Sequence, residues 1–337
     1  MKKTVAFSKN AANVFFHILT KCNLACRHCY INPDQHGKQT LDLDTIKAWL
    51  EPFAGRGRKA NVIFLGGEPT LHPDLAEAIR YARTLGYASV TVDTNGYLFN
   101  NILDKVTARE VDYFSFSLDG ATAATNDRLR GTGCWQRCVE GIQAAVNKGF
   151  ATSLIYTVSR ANASELERMP AVLKKLGIRR FFIQVIGLRG RSASGELEDV
   201  AGKSPQLTQA EWLDLVPPVA EEVADIGITV TYPKVFLDPG EKFECAGLVA
   251  DNYFIFPNGR VYRCPLCEDF PMHSLAFEEG RLVNAGRLNE NDFFSLNIPE
   301  GCVMNRLIQP ENIAYDPDGA TVARVACCLL KEEIRPR

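Results

Sequence analysis

Cys22-Asn23-Leu24-Ala25-Cys26-Arg27-His28-Cys29-Tyr30 follows directly on the apolar run Val14-Phe15-Phe16-His17-Ile18-Leu19. The run reads as a strand, which places three thiols on one tight loop at its carboxyl end. Three thiolates within one turn suit a soft metal centre, and four-iron four-sulfur clusters draw on a local thiolate supply of this kind. The loop has no fourth cysteine. Ferredoxin-type clusters and closed zinc sites take four protein ligands, so three ligands leave one coordination position open to bind and activate something. A zinc site that borrows a distant ligand is the other reading of the loop taken alone.

Working outward, the next strand is followed by Gly66-Gly67-Glu68-Pro69. The CxxxCxxC loop with an aromatic residue behind it, together with this stretch, resembles the radical S-adenosylmethionine (SAM) superfamily. Ser117-Leu118-Asp119-Gly120, then Arg130-Gly131 and a cysteine-rich tail, resemble the branch that carries SPASM or shorter twitch domains. The resemblance implies a partial (βα)6 TIM-like barrel whose Cys22, Cys26 and Cys29 hold a SAM-binding 4Fe-4S cluster. It also implies reductive cleavage of SAM, with electrons from a flavodoxin- or ferredoxin-type donor.

The 337 residues suffice for one large barrel-like domain with a small appendage, read as 1–235 and 236–337. Hydrophobic content of 46% and charged content of 23% are ordinary for a globular chain, and a net charge of -2 gives no basic field for nucleic acid. No apolar run approaches a membrane span, and the first ten residues hold no secretory core. No nucleic-acid or membrane partner is expected. Eleven cysteines in unequal clusters fit metal binding in a reducing, cytoplasmic setting better than a disulfide framework.

Along the chain, short apolar runs alternate with helical-period segments, the pattern of an α/β parallel sheet covered by helices. Six strands are expected over 14–19, 61–65, 88–93, 113–118, 152–158 and 180–186. Helices stop on Gly86, Gly149, Gly177 and Gly227, where a left-handed residue ends the turn. Capping boxes are expected at Ser164 with Glu167 and at Thr208 with Glu211, and Pro217-Pro218 should kink or interrupt its helix.

Each motif then falls at the carboxyl end of a strand, where such barrels keep their sites. Gly66 and Gly67 let a ligand approach the backbone; in the family the matching stretch, here Gly66 to Pro69, contacts the amino group of SAM. Asn95, Ser117 and Asp119 offer groups for a ribose or a methionine carboxylate, and Arg128 or Arg130 could pair with that carboxylate. Tyr30 would pack beside the adenine if the resemblance extends that far. Leu188 to Gln206 reads as a long loop over the mouth, with Arg189 and Arg191 either facing an anionic part of the substrate or simply solvated.

In the tail, Pro257-Asn258-Gly259 between alternating apolar residues signals a hairpin, flanked by Cys245 and Cys264. This spacing is similar to the opening of SPASM and twitch domains, which implies one auxiliary 4Fe-4S cluster. Its ligands are expected among Cys245, Cys264, Cys267 and Cys302, with Cys327 or Cys328 as substitutes and one of that adjacent pair spare. Cys264-Pro265-Leu266-Cys267 also has a zinc-ribbon spacing. Cys134 and Cys138 share one helix face and read as small core residues.

The leading functional expectation is an enzyme that cleaves SAM to a 5'-deoxyadenosyl radical and removes a hydrogen atom from a small molecule, the auxiliary cluster assisting electron transfer or substrate binding. A maturase acting on a ribosomally made peptide, or a haem-precursor modifying enzyme, is the alternative. A cluster-binding sensor without turnover is the non-enzyme reading, and it does not account for a SAM pocket.

Overall fold

The computed structural model describes residues 2–5, 7, 10–55, 57–195, 202–286 and 288–336. Its strands are β1 (Lys2–Val5), β2 (Ala11–His17), β3 (Lys59–Leu65), β4 (Ser89–Thr94), β5 (Tyr113–Ser117), β6 (Thr152–Val158), β7 (Arg180–Val185), β8 (Thr229–Pro233), β9 (Asp251–Ile255), β10 (Arg260–Tyr262), β11 (Leu275–Glu278), β12 (Arg281–Asn284) and β13 (Lys331–Ile334). They form one open sheet in the order β1-β13-β8-β7-β6-β5-β4-β3-β2-β9-β10-β11-β12.

The expected βα units are the run from β2 to the helix Gln209–Asp225, and all their strands pair in parallel. The parallel run extends further than the sequence suggested. β8 joins β7, and β9 lies parallel to β2, so the sheet continues into the residues after 235. β13 and β1 close the opposite edge antiparallel, so the sheet has no break at residue 235.

Alternation decides which face is covered. Val14, Phe16, Val62, Phe64, Val92, Phe114 and Phe116 are almost fully buried against the helices. Each such side chain contributes roughly 1.5–3 kcal/mol by leaving water. The other face keeps polar residues, including a ladder in which Asn61 Nδ2 donates to Asn13 Oδ1 and Asn13 Nδ2 donates to Asn252 Oδ1, both at 3.0 Å.

The glycine stops have φ of 81° at Gly86 and Gly149, 69° at Gly177 and 93° at Gly227, the left-handed region their places require. Thr208 and Glu211 form the expected capping box. Ser164 does not cap: a 3-10 helix over Ala163–Arg168 begins after Asn162 and puts Ser164 inside its first turn. Pro217 and Pro218 do not interrupt their helix either. The carbonyls they leave without partners belong to Leu213 and Asp214, which are exposed to water.

Candidate functional site

The loop after β2 brings Cys22, Cys26 and Cys29 together, all half-buried and near enough to act on one another's charge. Leu24 N–H donates to Cys22 Sγ at 3.4 Å, and Asn95 Nδ2 approaches the same sulfur at 3.8 Å. Burial pushes the Cys22 thiol up to about 12 and also raises Cys26, against the pull of Arg130. Such thiols stay protonated until a metal displaces the proton. Asn23 Nδ2 and His28 Nδ1 are buried on this loop with no partner. Crowded neutral thiols, amide donors on one sulfur and unpartnered polar atoms fit an iron-sulfur cluster. Among the described residues no three metal-binding side chains close on a single-ion point. Cluster ligands attach to separate irons, so they need not do so.

Gly66 and Gly67 are glycines because the loop packs onto them. A Cβ would lie 2.3 Å from Leu19 O at Gly66, where φ is +155°, and 2.3 Å from Lys21 O at Gly67. The N–H groups of Gly67 and Glu68 donate to those same two carbonyls at 3.0 Å. Glu68 is buried, and Pro69 starts the short turn behind it. Its carboxylate accepts from Thr70 Oγ1 at 2.7 Å, Thr94 Oγ1 at 2.8 Å and Asn95 N at 2.7 Å. Asn95 Nδ2 in turn reaches Asn23 Oδ1 at 2.9 Å, joining the end of β4 to the cysteine loop.

Asp119 and Arg130 depart from expectation. Asp119 is fully buried and accepts from Arg130 Nε and Nη2 at 2.6 Å, His28 Nε2 at 2.9 Å and Thr157 N at 2.7 Å. Burial alone would raise its pKa, but Arg130 and then His28 hold it at about 2. Four donors leave this carboxylate nothing to offer a ribose, and the pair braces the loop from below instead. Arg130 O receives the thiols of Cys134 at 3.3 Å and Cys26 at 3.9 Å. Arg128 turns outward to Ala161 O. Ser117 stands half-buried at the end of β5.

Beside the thiols opens a cleft of about 940 Å³, measured out to its mouth and lined by Thr20, Cys22, Cys29, Gly67, Asn32 and Arg191 among others. Tyr30 turns away from it: the hydroxyl meets His17 Nε2 at 2.7 Å. Residues 188–195 are fastened rather than free, with Leu188 N donating to Ile308 O at 2.8 Å and Arg191 N to Cys29 O at 2.9 Å. The centre of the expected loop, 196–201, lies outside the described residues.

A second, small cavity is walled by Cys245, Cys264, Cys302, Cys327 and Cys328. Cys245 and Cys302 each immediately precede a short helix, Ala246–Val249 and Val303–Ile308. The hairpin forms as the Asn-Gly turn predicts, with Gly259 at φ +85°. Buried Glu290 fixes the end of it by accepting from Arg263 N at 2.7 Å and Cys264 N at 3.0 Å. Cys267 is fully buried beside Cys264 but is not on the cavity wall, whereas both Cys327 and Cys328 are. Cys134 and Cys138 are buried helix residues.

An open parallel sheet with thiols, paired glycines and an amide gathered at successive strand ends defines the class: an α/β barrel-type chain with its site at the carboxyl ends of the strands. The family model described as "Radical SAM superfamily" matches residues 17–173. It is 29% identical over 189 residues to the pre-heme d1 synthase of Dinoroseobacter shibae, covering 55% of this chain and 46% of that one. With the Fe-coproporphyrin III synthase of Methanosarcina barkeri it shares 30% over 199 residues, 58% of this chain and 49% of that one. The chain thus spans about half the length of the curated relatives it matches. The fold is similar to SuiB of Streptococcus suis, solved with its precursor peptide SuiA, at TM-score 0.60 and 14% identity over 77% of this chain and 60% of that one.

Proposed function

We propose that this chain is a radical SAM enzyme acting on a small molecule, with Cys22, Cys26 and Cys29 carrying a 4Fe-4S cluster whose fourth iron binds SAM. The observation that carries the reading is the convergence of Cys22 and Cys29 with Gly67 on one cleft at the strand ends, with half-buried Cys26 on the same loop. When bound, the cluster and SAM supply a one-electron cleavage of the sulfonium into methionine and a 5'-deoxyadenosyl radical, which takes a hydrogen atom from the substrate. The chain's own residues prepare that site. Glu68 fixes Asn95 and the glycine turn, Leu24 N–H and Asn95 Nδ2 stabilise negative charge on Cys22, and the Asp119–Arg130–His28 cluster sets the height of the loop.

Cys245, Cys264 and Cys302, with Cys327 or Cys328, are proposed to carry an auxiliary 4Fe-4S cluster, Cys267 being the reserve ligand. A low-potential flavodoxin- or ferredoxin-type protein would deliver the electron. Among the described residues no helix is long and apolar enough to cross a membrane. Eleven unpaired cysteines suit a cytoplasmic, reducing setting. The names of the curated relatives favour a haem-precursor-like small molecule, whereas the peptide-bound neighbour keeps a peptide substrate as the second reading.

The test is anaerobic reconstitution followed by dithionite and SAM, with 5'-deoxyadenosine and methionine as products. Intact SAM, or methyl transfer in their place, would overturn the assignment.

A further inference from the structure

Between the two thiol sites lies a crossing that neither site requires. Arg189 leaves β7 and reaches sideways, its Nη1 donating to Pro265 O at 2.5 Å and pairing with the Glu268 carboxylate. Its guanidinium carbon sits 5.2 Å from the centroid of the Tyr30 ring. The side chains of Arg189 and Glu268 are 19% and 3% exposed, so the pair is largely out of water. One arginine therefore touches the residue after Cys29 and the segment between Cys264 and Glu268.

The contacts around it run the same way. Arg191 N donates to Cys29 O at 2.9 Å, and Gly190 N to Asp269 Oδ2 at 3.3 Å. Gly190 has φ +51°, and a Cβ there would come within 2.6 Å of Cys29 O. From the opposite side Asn32 Nδ2 donates to Asp269 Oδ1 at 2.8 Å. His36 receives Asn32 N at 3.0 Å on Nδ1, so its Nε2 carries the hydrogen and donates to Glu268 O at 2.9 Å. The His36 ring stacks on Phe256 at 4.0 Å, and Phe256 stacks on His17 at 4.1 Å. The loop of the first site and the Cys264–Asp269 segment of the second are thus two faces of one packed junction.

We propose that Arg189 is a positioning residue through which the two cysteine sites sense one another, so that the state of the second site sets the order of residues 29–36 beside the first. The residue must be arginine because it makes a planar contact over Tyr30 while its fork serves a carbonyl and a carboxylate at once. An ammonium offers a point charge and does not stack. Removing either member of the pair leaves a buried unpaired charge at the junction, which loosens both loops. The inference rests on the function proposed above only for what the thiols hold.

The experiment is hydrogen exchange on the full reconstituted chain, with the electron paramagnetic resonance spectrum of the first-site cluster as a second readout. Cys245 lines the second cavity. In the wild type, Cys245→Ala is expected to speed exchange over residues 29–36 by on the order of tenfold and to shift the first-site spectrum. In an Arg189→Gln background those amides already exchange fast, and Cys245→Ala adds nothing. Arg189→Gln combined with Glu268→Gln recovers part of the protection, because a neutral pair leaves no buried charge. If Arg189→Gln does not fold, Arg189→Lys reads the same coupling with the charge retained, and it too should uncouple the sites. Additive effects of Cys245→Ala and either Arg189 variant overturn the inference, as does a wild type in which Cys245→Ala leaves 29–36 unchanged. A chain that takes up no iron would sink the proposed function alone: in that metal-free chain Glu268→Gln still reads the bridge, and an unchanged 29–36 segment would sink the bridge too.

Discussion

The first cysteine site and the second make the same kind of thiol cluster from opposite kinds of sequence. Cys22, Cys26 and Cys29 lie on one loop, and closing so short a loop costs little chain entropy. Cys245, Cys264, Cys302, Cys327 and Cys328 come from separated segments, meeting only because β9 lies against β2 and two short helices begin at the cavity. The first site is therefore nearly a local property of the chain. The second is a property of the finished fold.

Replacing Cys22, Cys26 and Cys29 together by Ala should have the largest effect, abolishing SAM cleavage and removing about four irons per chain. About four irons and a broad visible absorbance should remain at the second site. If iron and absorbance vanish together, the two sites do not load independently and the contrast between them fails.

Next in size is Arg130→Gln. It strands the buried Asp119 carboxylate beneath the loop and should cost about 3–5 kcal/mol in urea unfolding. A loss below about 1 kcal/mol would mean that the first site needs no long-range brace.

Acid should loosen the two sites together, because the aromatic row His17–Phe256–His36 joins them. Burial, and then the charge of His36, lowers His17 to about 3, and burial lowers His36 to about 4. Both rings are neutral in the folded chain and take a proton near pH 6.5 once it unfolds. Their contribution is thus complete above pH 6.5 and is lost as pH falls from there toward 4 and 3. The slope is up to about 1.4 kcal/mol per pH unit for each histidine. His17→Gln should flatten it by about half over that window in chemical-denaturation midpoints, and an unchanged slope would sever the row from the stability of the junction.

The smallest effect belongs to Glu290→Gln, which keeps the shape but weakens the charged hydrogen bonds to Arg263 N and Cys264 N. It should cost on the order of 1–2 kcal/mol and lower iron at the second site only. Iron analysis in the Cys22, Cys26 and Cys29 triple variant isolates that site and decides the point.

What could be read beforehand follows the same division. The cysteine loop, the glycine stops and the Asn-Gly hairpin depend on residues a few positions apart, and the strands of the six βα units lie within a residue or three of their expected bounds. Partnerships across the sequence were hidden. Asp119 and Arg130 read as open groups because nothing local shows that each is consumed by the other, or that His28 arrives from the cysteine loop. Glu68 read as part of a ligand contact, yet its carboxylate is taken up by Thr70, Thr94 and Asn95. The prolines misled for a physical reason: a rule about missing hydrogen bonds bites only where water cannot replace them. Arg189 and Arg191 looked alike in sequence, and only packing sends one into the junction and leaves the other at the mouth of the cleft.

The pairing of β9 with β2 also imposes an order of events on the ribosome. Asn13 and its ladder partner Asn252 are 239 residues apart, so the loop with the first three thiols emerges long before the strand that completes its flank. At ordinary translation speeds the gap is on the order of 10–50 seconds. During that time the cysteines are presented by a nascent chain whose junction cannot yet exist, exposed to any oxidant or stray metal that reaches them.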